Sequence, residues 1–448
     1  MEGTYRCADL VAGSGLKFCL PIGMALTDYK LNLRVLLVIV LAIAVSLPIA
    51  LLSLAKVLAF LAALAYLLND LVFARSPAHL TRIHTSHIVL MSMLIWAASL
   101  FWTGAGLEDA LVAFVKHGKL MLIPILVYLL RNRREAKWGV LALLAGQCWV
   151  LLNSWLMAFD IPLPWVMRAS GPGNLLTQYI PYADSYLDQS IMLAASAGIM
   201  WHLGRSHIAS RGWTQCLALL CLANVLVLMP GRTGYLLAIV AVCLAALFEI
   251  PDRLRPAAAA VIPVLLGLAL FYTLPQFQQR VGQAAQELTS YEAAPDVHSS
   301  VGARLNMWNL SLQAIADRPL TGYGVGNWTP VVKHYYGVEG DALFGSGNGS
   351  NPHQELLLWT VELGVAGALL FVGLLYALLL DTKPFHLPIR RAAWSLVVML
   401  AVTCMFNSPL YDDLMGDYFC IALGLLLALG LRDNQERHKS QLASRITD

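Results

Sequence analysis

Charged residues are scarce in this sequence. Asp, Glu, Lys and Arg make up 13% of its 448 residues, while hydrophobic residues make up 58% and the mean hydropathy is +0.65. Soluble globular domains contain roughly 25% charged residues. This composition excludes an ordinary soluble protein and predicts an all-α protein that crosses a membrane many times.

Paired cysteines and nucleotide motifs are also missing. The eight cysteines form no CxxC pair, and none lies in the polar stretch 275–354, which argues against a disulfide framework or a zinc site. The sequence GYGVGNW at 322–328 contains glycines like those of a nucleotide loop, but no βαβ unit surrounds it, so we interpret it as a turn. The start of the chain lacks a signal-peptide cleavage pattern, and we expect it to be uncleaved. We expect no metal, no cofactor and no nucleic-acid partner.

Long apolar runs are abundant. A membrane-crossing helix needs about 20 apolar residues, and twelve segments meet or approach this length. The predicted spans are 33–47, 49–72, 86–101, 112–130, 138–158, 187–204, 213–229, 234–249, 257–274, 355–380, 392–408 and 417–431. The first two are also compatible with one helix kinked at 46–48, and residues 10–27 are apolar enough for an additional span.

The basic residues predict how this bundle is oriented. Successive connections alternate between two sides, and most of the 30 Lys and Arg residues fall on the side that holds both termini. Cytoplasmic connections are richer in Lys and Arg than outer ones, so both termini are predicted to be cytoplasmic. The acidic pairs at 108–109 and 412–413 then lie outside.

This orientation divides the chain into four parts. Spans one to nine occupy 1–274 and include an outer connection at 159–186; a large outer loop covers 275–354; the last three spans occupy 355–431; and a cytoplasmic tail covers 432–448. In the large loop, Leu305, Trp308, Leu312 and Ile315 recur at helical spacing before Pro319, which predicts a short helix packed on the bundle by this face.

Arg232 lies in a PGRTG corner between two apolar runs on the predicted outer side. We expect a helix to begin near Gly234, with Thr233 as its cap. A guanidinium beside the free N–H groups of a helix start suits a phosphate group. The alternative is an arginine that reaches the lipid headgroups.

His353 lies in the sequence GSNPHQEL, where Asn351 is expected to cap a helix and Pro352 to occupy its first position. His353 is then predicted in the first helical turn. The helix dipole and nearby arginines disfavour imidazolium, which leaves a neutral ring able to accept a proton. The alternative is an ordinary polar residue at a helix end.

Other charged residues on the same predicted side complete an anionic-substrate site. The substrate-binding candidates are Arg232, Arg304, Lys116, Lys119, Arg318, Asp412 and Asp413. The two aspartates are candidates for orienting an acceptor or assisting a base. Glu362 lies deeper in the span at 355–380, where we expect it to form a structural hydrogen bond inside the bundle.

Taken in order, these features resemble the O-antigen ligase family. The features are the twelve predicted spans, the GRTG corner, the loop segments GARLNMW and PLTGYG, and the run NPHQELLLWTVELGVAGALLF. The resemblance covers about 187–408. The wider group includes O-antigen polymerases and protein O-oligosaccharyltransferases.

The resemblance implies a GT-C-type glycosyltransferase in the bacterial inner membrane with its active site on the periplasmic side. Such ligases transfer O-antigen polysaccharide from undecaprenyl diphosphate to lipid A-core, with inversion and without a metal. Arg232 and Arg304 match the arginines that hold the diphosphate, and His353 matches the essential histidine, so these three are the catalytic candidates. Gln354 stands where many relatives have Asn.

Three alternatives remain open. An O-antigen polymerase uses the same donor with a lipid-linked acceptor. A protein O-oligosaccharyltransferase modifies Ser or Thr, although such relatives usually have a larger C-terminal region. A transporter would show internal repeats and broken helices at the membrane midplane, and we find no repeats.

Overall fold

The computed structural model describes residues 32–73, 83–166, 179–183, 185–206, 208, 210–293, 299–337 and 351–447. All regular secondary structure within these ranges is helical. The possible additional span at 10–27 lies outside the described residues, as do residues 167–178 and 184 of the connection 159–186 and residues 338–350 of the large loop.

The helices carry the following labels. They are α1 (Leu33–Ala44), α2 (Ile49–Val72), α3 (His84–Ser99), α4 (Leu107–His117), α5 (Leu122–Leu129), α6 (Arg133–Ala158), α7 (Tyr186–Leu203), α8 (Arg211–Val227), α9 (Arg232–Leu247), α10 (Arg255–Thr273), α11 (Pro275–Ala293), α12 (Ser300–Asp317), α13 (Trp328–Tyr336), α14 (Glu355–Leu363), α15 (Val365–Thr382), α16 (Leu387–Phe406) and α17 (Asp413–Thr447). Short 3₁₀ turns cover Gly118–Met121 and Asp252–Leu254.

Each of the twelve predicted spans coincides with one helix or with two successive helices. Within the described residues, seven helical segments are long and apolar enough to cross a membrane, and three shorter apolar helices, α1, α8 and α9, accompany them. The chain is therefore a multi-pass membrane protein, and the count of twelve spans stays a prediction. α1 and α2 are separate helices, and α17 continues through the predicted tail.

α17 lies at the centre of the bundle, whereas α10 lies at its edge. In α17, 94% of the most apolar stretch is buried, and the helix contacts α5, α6, α7 and α16. None of the residues of α10 is buried. An apolar helix without a buried residue is expected at a lipid-facing position, because hydrocarbon replaces the protein core as its solvent.

Contacts between helix termini define two ends of the bundle. At one end, Arg34 of α1 donates to Glu135 of α6 at 2.7 Å. At the other end, Asn407, after α16, donates to Thr233 of α9 at 3.4 Å. The first, which we call the basic end, includes Arg34, Arg131, Arg133, Arg205, Arg391 and Arg432. These arginines all belong to connections that the sequence assigns to one side.

The span predicted at 355–380 is broken at Gly364, and this part of the prediction is wrong. Gly364 has a φ of +63°, and a Cβ there would lie 2.5 Å from the carbonyl of Leu320. The N–H of Val365 donates to the carbonyl of Pro319 at 2.8 Å, and that of Tyr323 donates to Val361 at 2.9 Å. The break therefore receives the PLTGYG turn of the large loop.

The glycines of that turn explain its sequence. Gly322 has a φ of +62°, and a Cβ there would lie 2.5 Å from the carbonyl of Glu362. Only glycine combines this left-handed backbone with so close an approach. The interpretation of 322–328 as a turn rather than a nucleotide loop is confirmed up to the start of α13 at Trp328.

The described part of the large loop contains three helices, α11, α12 and α13. α12 ends before Pro319, as predicted, but the predicted buried face is wrong. Leu312 is 58% exposed, and the buried residues are Gly302, Asn306, Met307, Leu310, Ser311 and Ala314. The buried face combines Met307 and Leu310 with small and polar side chains, so apolar spacing alone indicated the wrong side of the helix.

Candidate functional site

Arg232 occupies the first position of α9. The cap of this helix is Gly231, with extended backbone, and no side chain caps the helix. The helix begins two residues before Gly234, close to the predicted start, but the prediction that Thr233 caps it is wrong. The Thr233 hydroxyl instead accepts the hydrogen bond from Asn407.

The guanidinium of Arg232 binds both oxygens of Glu287, a residue of α11. Nη2 lies 2.6 Å from Oε1 and Nη1 lies 3.1 Å from Oε2, which also accepts from the N–H of Val301 at 3.0 Å. Burial raises the pKa of Glu287, but the hydrogen bonds from Arg232 and Val301 outweigh it and hold the pKa below its ordinary value. The fork of Arg232 is thus arranged for a two-oxygen anion, such as a carboxylate or a phosphate.

Arg304 lies in the second turn of α12, near Arg232. Its Nη1 donates to the Ser300 hydroxyl at 2.8 Å, and its buried Nε has no hydrogen-bond partner among the described residues. Arg232 is close enough to oppose the charge of Arg304. Tyr186 lies beside this pair, because a Cβ on Gly231 would be 3.1 Å from its ring. In the part of the chain that the structure describes, these two guanidinium groups therefore lie in one region with the carboxylate of Glu287.

His353 lies outside the helix that it was predicted to begin. α14 begins at Glu355, and the side chain of Gln354 caps it by accepting from the N–H of Leu357 at 2.5 Å. His353 has a φ of +50°, and its N–H donates to Oδ1 of Asn351 at 2.8 Å. Asn351 thus closes a local turn instead of capping the helix. This turn places His353 one residue before Gln354, the cap of α14.

Asn351 also connects this turn to the connection before α17. Its Nδ2 donates to Oδ1 of Asp412 at 3.1 Å, and the whole residue is only 1% exposed. Burial raises the pKa of Asp412 to about 7, and the positive charge of Lys119 opposes that shift. One asparagine therefore fixes both the backbone of His353 and the carboxyl group of Asp412.

Lys119 holds the same connection through the main chain. Its Nζ donates to the carbonyls of Tyr411 at 3.1 Å and Asp412 at 2.7 Å, and it lies 3.6 Å from Oδ1 of Asp413. The side chain is only 3% exposed. The ammonium of Lys116 lies 4.7 Å from the centre of the Tyr411 ring. The structure brings these predicted residues together, with Lys119 bound to backbone rather than open to a ligand.

Arg318 does not join the arginine pair. It follows the last residue of α12, is exposed, and lies 4.6 Å from the centre of the Tyr323 ring. Fourteen residues separate it from Arg304, which is about 20 Å along a helix at 1.5 Å per residue. The structure therefore separates this predicted substrate-binding residue from the others.

The start of α7 lies between the arginine pair and the His353 turn. Tyr186 contacts Gly231 and influences Arg304, while Asp188 is close enough to Asp412 to raise its pKa further. Asp188 also forms a capping box with Ser185 at the start of α7. The arginine pair and the His353 turn thus face one region of the bundle, at the end opposite to the basic end. We call this the site end.

Glu362 has the structural role that the sequence predicted. Its carboxylate accepts from the Trp96 indole at 3.1 Å and the N–H of Gly326 at 3.0 Å, and it lies 2.9 Å from Nε2 of His117. It is 1% exposed. This carboxylate ties α14 to α3, α4 and the glycine turn.

Sequence reasoning missed Glu287, Tyr186 and Asp188. Asp188 had a detectable signal, because Ser185 three residues before it forms a capping-box pattern. Glu287 is one of several polar residues in α11, and nothing in its spacing pairs it with Arg232. Within the described residues, no group of three His, Cys, Asp or Glu side chains is arranged to hold a metal ion. The independence from metal stays a prediction.

Comparison with known proteins agrees with the resemblance. Residues 217–372 match the family described as O-antigen ligase. That range contains Arg232, Glu287, Arg304 and His353, whereas Lys119 and Asp412 lie outside it. Among proteins with curated functions, none matches the chain. Over residues 217–372, the chain is therefore similar to the O-antigen ligase family.

Proposed function

We propose that the protein is an O-antigen ligase that transfers O-antigen polysaccharide from undecaprenyl diphosphate to lipid A-core at the periplasmic face of the bacterial inner membrane. The observation that carries this proposal is the two-oxygen fork of Arg232 on Glu287, with Arg304 beside it. A diphosphate presents the same paired oxygens with more negative charge, so it can take the place of the carboxylate.

The arginine pair supports departure of the lipid diphosphate. When the glycosidic C–O bond breaks, its electron pair leaves with the diphosphate oxygen, and Arg232 and Arg304 stabilise that charge. The acceptor hydroxyl forms the new bond from the opposite face of the sugar, which inverts the anomeric centre. No metal enters this scheme, because the guanidinium groups supply the compensating positive charge.

The acceptor's proton goes to a base near the His353 turn. We assign this base to His353, with Asp412 orienting the acceptor hydroxyl. The buried Asn351 accepts from the backbone N–H of His353 and donates to the carboxyl group of Asp412, so it holds both residues in place. Asp413, about half exposed beside Lys119, is the second carboxylate available to the acceptor.

The proposed orientation puts the site end in the periplasm and both termini in the cytoplasm. It is supported by the arginines of the basic end, since Lys and Arg accumulate in cytoplasmic connections. External cysteine labelling tests it, with a probe introduced at 298 expected to react and one at 440 expected to be protected. The reverse pattern would place the site on the wrong side for this donor.

A deletion strain tests the reaction itself. Loss of the ligase should leave lipid A-core unsubstituted while capped lipid-linked polymer accumulates, and the wild-type chain should restore long lipopolysaccharide on a gel. Core capped with a single repeat would instead identify an O-antigen polymerase, which has the same donor chemistry. Unchanged lipopolysaccharide with loss of glycosylated protein would identify a protein O-oligosaccharyltransferase, and defective export of an intact donor would identify a transporter.

A further inference from the structure

A cavity of about 550 Å³ lies at the basic end, far from the candidate site. Its walls come from the end of α7, the start of α16 and the extension of α17. The lining includes His202, Arg205, Leu387, Pro388, Arg391 and Arg437. A cavity of this volume falls within the range of small-molecule sites, roughly 300–1,000 Å³.

The arginines around this cavity exceed the carboxylates that pair with them. Arg205 and Arg391 both bind the same oxygen of Glu249. Asp433 is also shared by two arginines, since Arg437 of the cavity wall binds its Oδ2 and Arg133 binds its Oδ1. Among the described residues, the three arginines that line the cavity thus pair with only two carboxylates, one of which is shared with Arg133, so the wall carries more positive than negative charge.

Buried polar atoms of the wall also have no partner. His202 is 1% exposed, and its Nδ1 accepts or donates no hydrogen bond among the described residues. The buried Nε of Arg205 has none either. Buried polar groups are almost always hydrogen-bonded, and one left unsatisfied costs about 1–3 kcal/mol.

The start of α16 adds to the positive character of the wall. Leu387 and Pro388 are the first two residues of this 20-residue helix, and no side chain caps it. The first turn of a helix carries partial positive charge on its free N–H groups. Guanidinium groups, a helix start and unsatisfied nitrogens together favour an anion.

We propose that this cavity binds a phosphate group. The planar fork of an arginine donates two parallel hydrogen bonds that match a pair of phosphate oxygens, which a halide ion does not have. A guanidinium group is also more weakly hydrated than an ammonium group, so its transfer from water into a cavity costs less free energy. The phosphate comes either from the headgroup of an anionic phospholipid in the adjacent leaflet or from a soluble phosphate. This site is separate from the proposed diphosphate site, because the two lie at opposite ends of the bundle.

The test uses the purified full-length protein and two probes, phosphatidylglycerol in phosphatidylcholine bilayers and inorganic phosphate. Native mass spectrometry counts bound phosphatidylglycerol, and calorimetry measures inorganic phosphate. Leu387→Glu places a negative charge in the wall without removing an arginine, and an acidic residue is favourable in a first helical turn. We expect it to weaken binding at least tenfold.

Arg390→Gln is the matched control. Arg390 is the neighbour of Arg391 in the same helical turn, but its guanidinium donates to the carbonyl of Lys383 at 3.2 Å and is not part of the cavity lining. The Arg390→Gln variant should bind both probes like the wild type, and Arg391→Gln should weaken binding as Leu387→Glu does.

If the wild-type protein binds phosphatidylglycerol but not inorganic phosphate, the cavity is a lipid headgroup site. If it binds only inorganic phosphate, the ligand is a soluble phosphate. Absence of both, or equal loss in Arg390→Gln and Leu387→Glu, would overturn the proposal.

Discussion

The two halves of the candidate site hold their charges in different ways. Arg232 and Glu287 meet side chain to side chain, and both remain partly exposed, at 30% and 22%. In the other half, Lys119 binds main-chain carbonyls and Asn351 binds the N–H of His353. A side-chain ion pair can exchange one anion for another without a change of fold, whereas a cation that holds backbone cannot leave. The first half therefore suits ligand exchange, and the second suits a fixed geometry.

The largest expected effect comes from His353→Gln, which removes the proposed base from the fixed half. Glutamine cannot accept the proton, so transfer should fall by about 10²–10⁴-fold. Affinity for undecaprenyl diphosphate should stay normal, because Arg232 and Arg304 are unchanged. Purified protein assayed for both properties tests this, with His334→Gln, an exposed histidine of α13, as control. Substantial transfer by His353→Gln would leave this residue a positioning role only.

Arg232→Lys tests the exchangeable half. Lysine keeps the charge but loses the planar fork that binds two oxygens. A hydrogen bond to a charged group contributes about 1.5–3 kcal/mol, so transfer and donor affinity should fall by roughly 10- to 100-fold. Arg318→Lys is the matched control and should remain close to wild type, because Arg318 lies apart on the Tyr323 ring. Equal effects of the two substitutions would argue against the Arg232 fork as the diphosphate site.

Lys119→Met and Lys116→Met compare a lysine that holds backbone with one that does not. Lys119→Met leaves two carbonyls without their donor, which should lower stability by about 1–3 kcal/mol. Lys116→Met removes a contact with the Tyr411 ring but no hydrogen bond to the backbone, a loss of about 0.5–1 kcal/mol. Thermal unfolding of the detergent-solubilised protein measures both. If the two variants unfolded alike, Lys119 would not be the element that fixes the 411–413 connection.

The smallest expected effect concerns the pH dependence of Asp412. Its pKa is about 7, so the group is largely protonated below that pH and a carboxylate above it. If the carboxylate orients the acceptor, transfer should rise as the pH increases through about 7. Asp412→Asn keeps an oxygen for Asn351 but no charge, so the rate above pH 7 should fall a few-fold. The loss of activity at acid pH that Asp412 causes should then disappear. If the pH profile of this variant were unchanged, Asp412 would not be the group that sets it.

Much of the site could be predicted from local sequence. The positions of Arg232, His353 and Asp412 at the ends of apolar runs, and that of Arg304 in the large outer loop, made them candidates, and the structure places all four at one end of the bundle. The predicted helix starts were less accurate, since Gly231 rather than Thr233 caps α9 and Gln354 rather than Asn351 caps α14. Ser, Thr and Asn side chains also form turns and tertiary hydrogen bonds. Thr233 and Asn351 each do so here.

The break at Gly364 shows why other features escaped prediction. The residues around it are apolar and suit a continuous helix, so local preference predicts no interruption. The backbone turns there because the PLTGYG segment, about 40 residues earlier, donates to and accepts from it. A hydrogen bond between two distant backbone segments leaves no periodic trace in either one.

The amino-acid sequence alone establishes where the chain is apolar enough to be helical in a membrane, and which charged residues flank those helices. These properties are local, because the transfer of a side chain into hydrocarbon depends mainly on its own chemistry. The pairing of Arg232 with Glu287, the sharing of Asn351 between His353 and Asp412, and the cavity beside Arg391 arise only in the folded chain. Each requires elements far apart in sequence to be brought within hydrogen-bond or contact distance, and helix packing rather than local preference decides which elements meet.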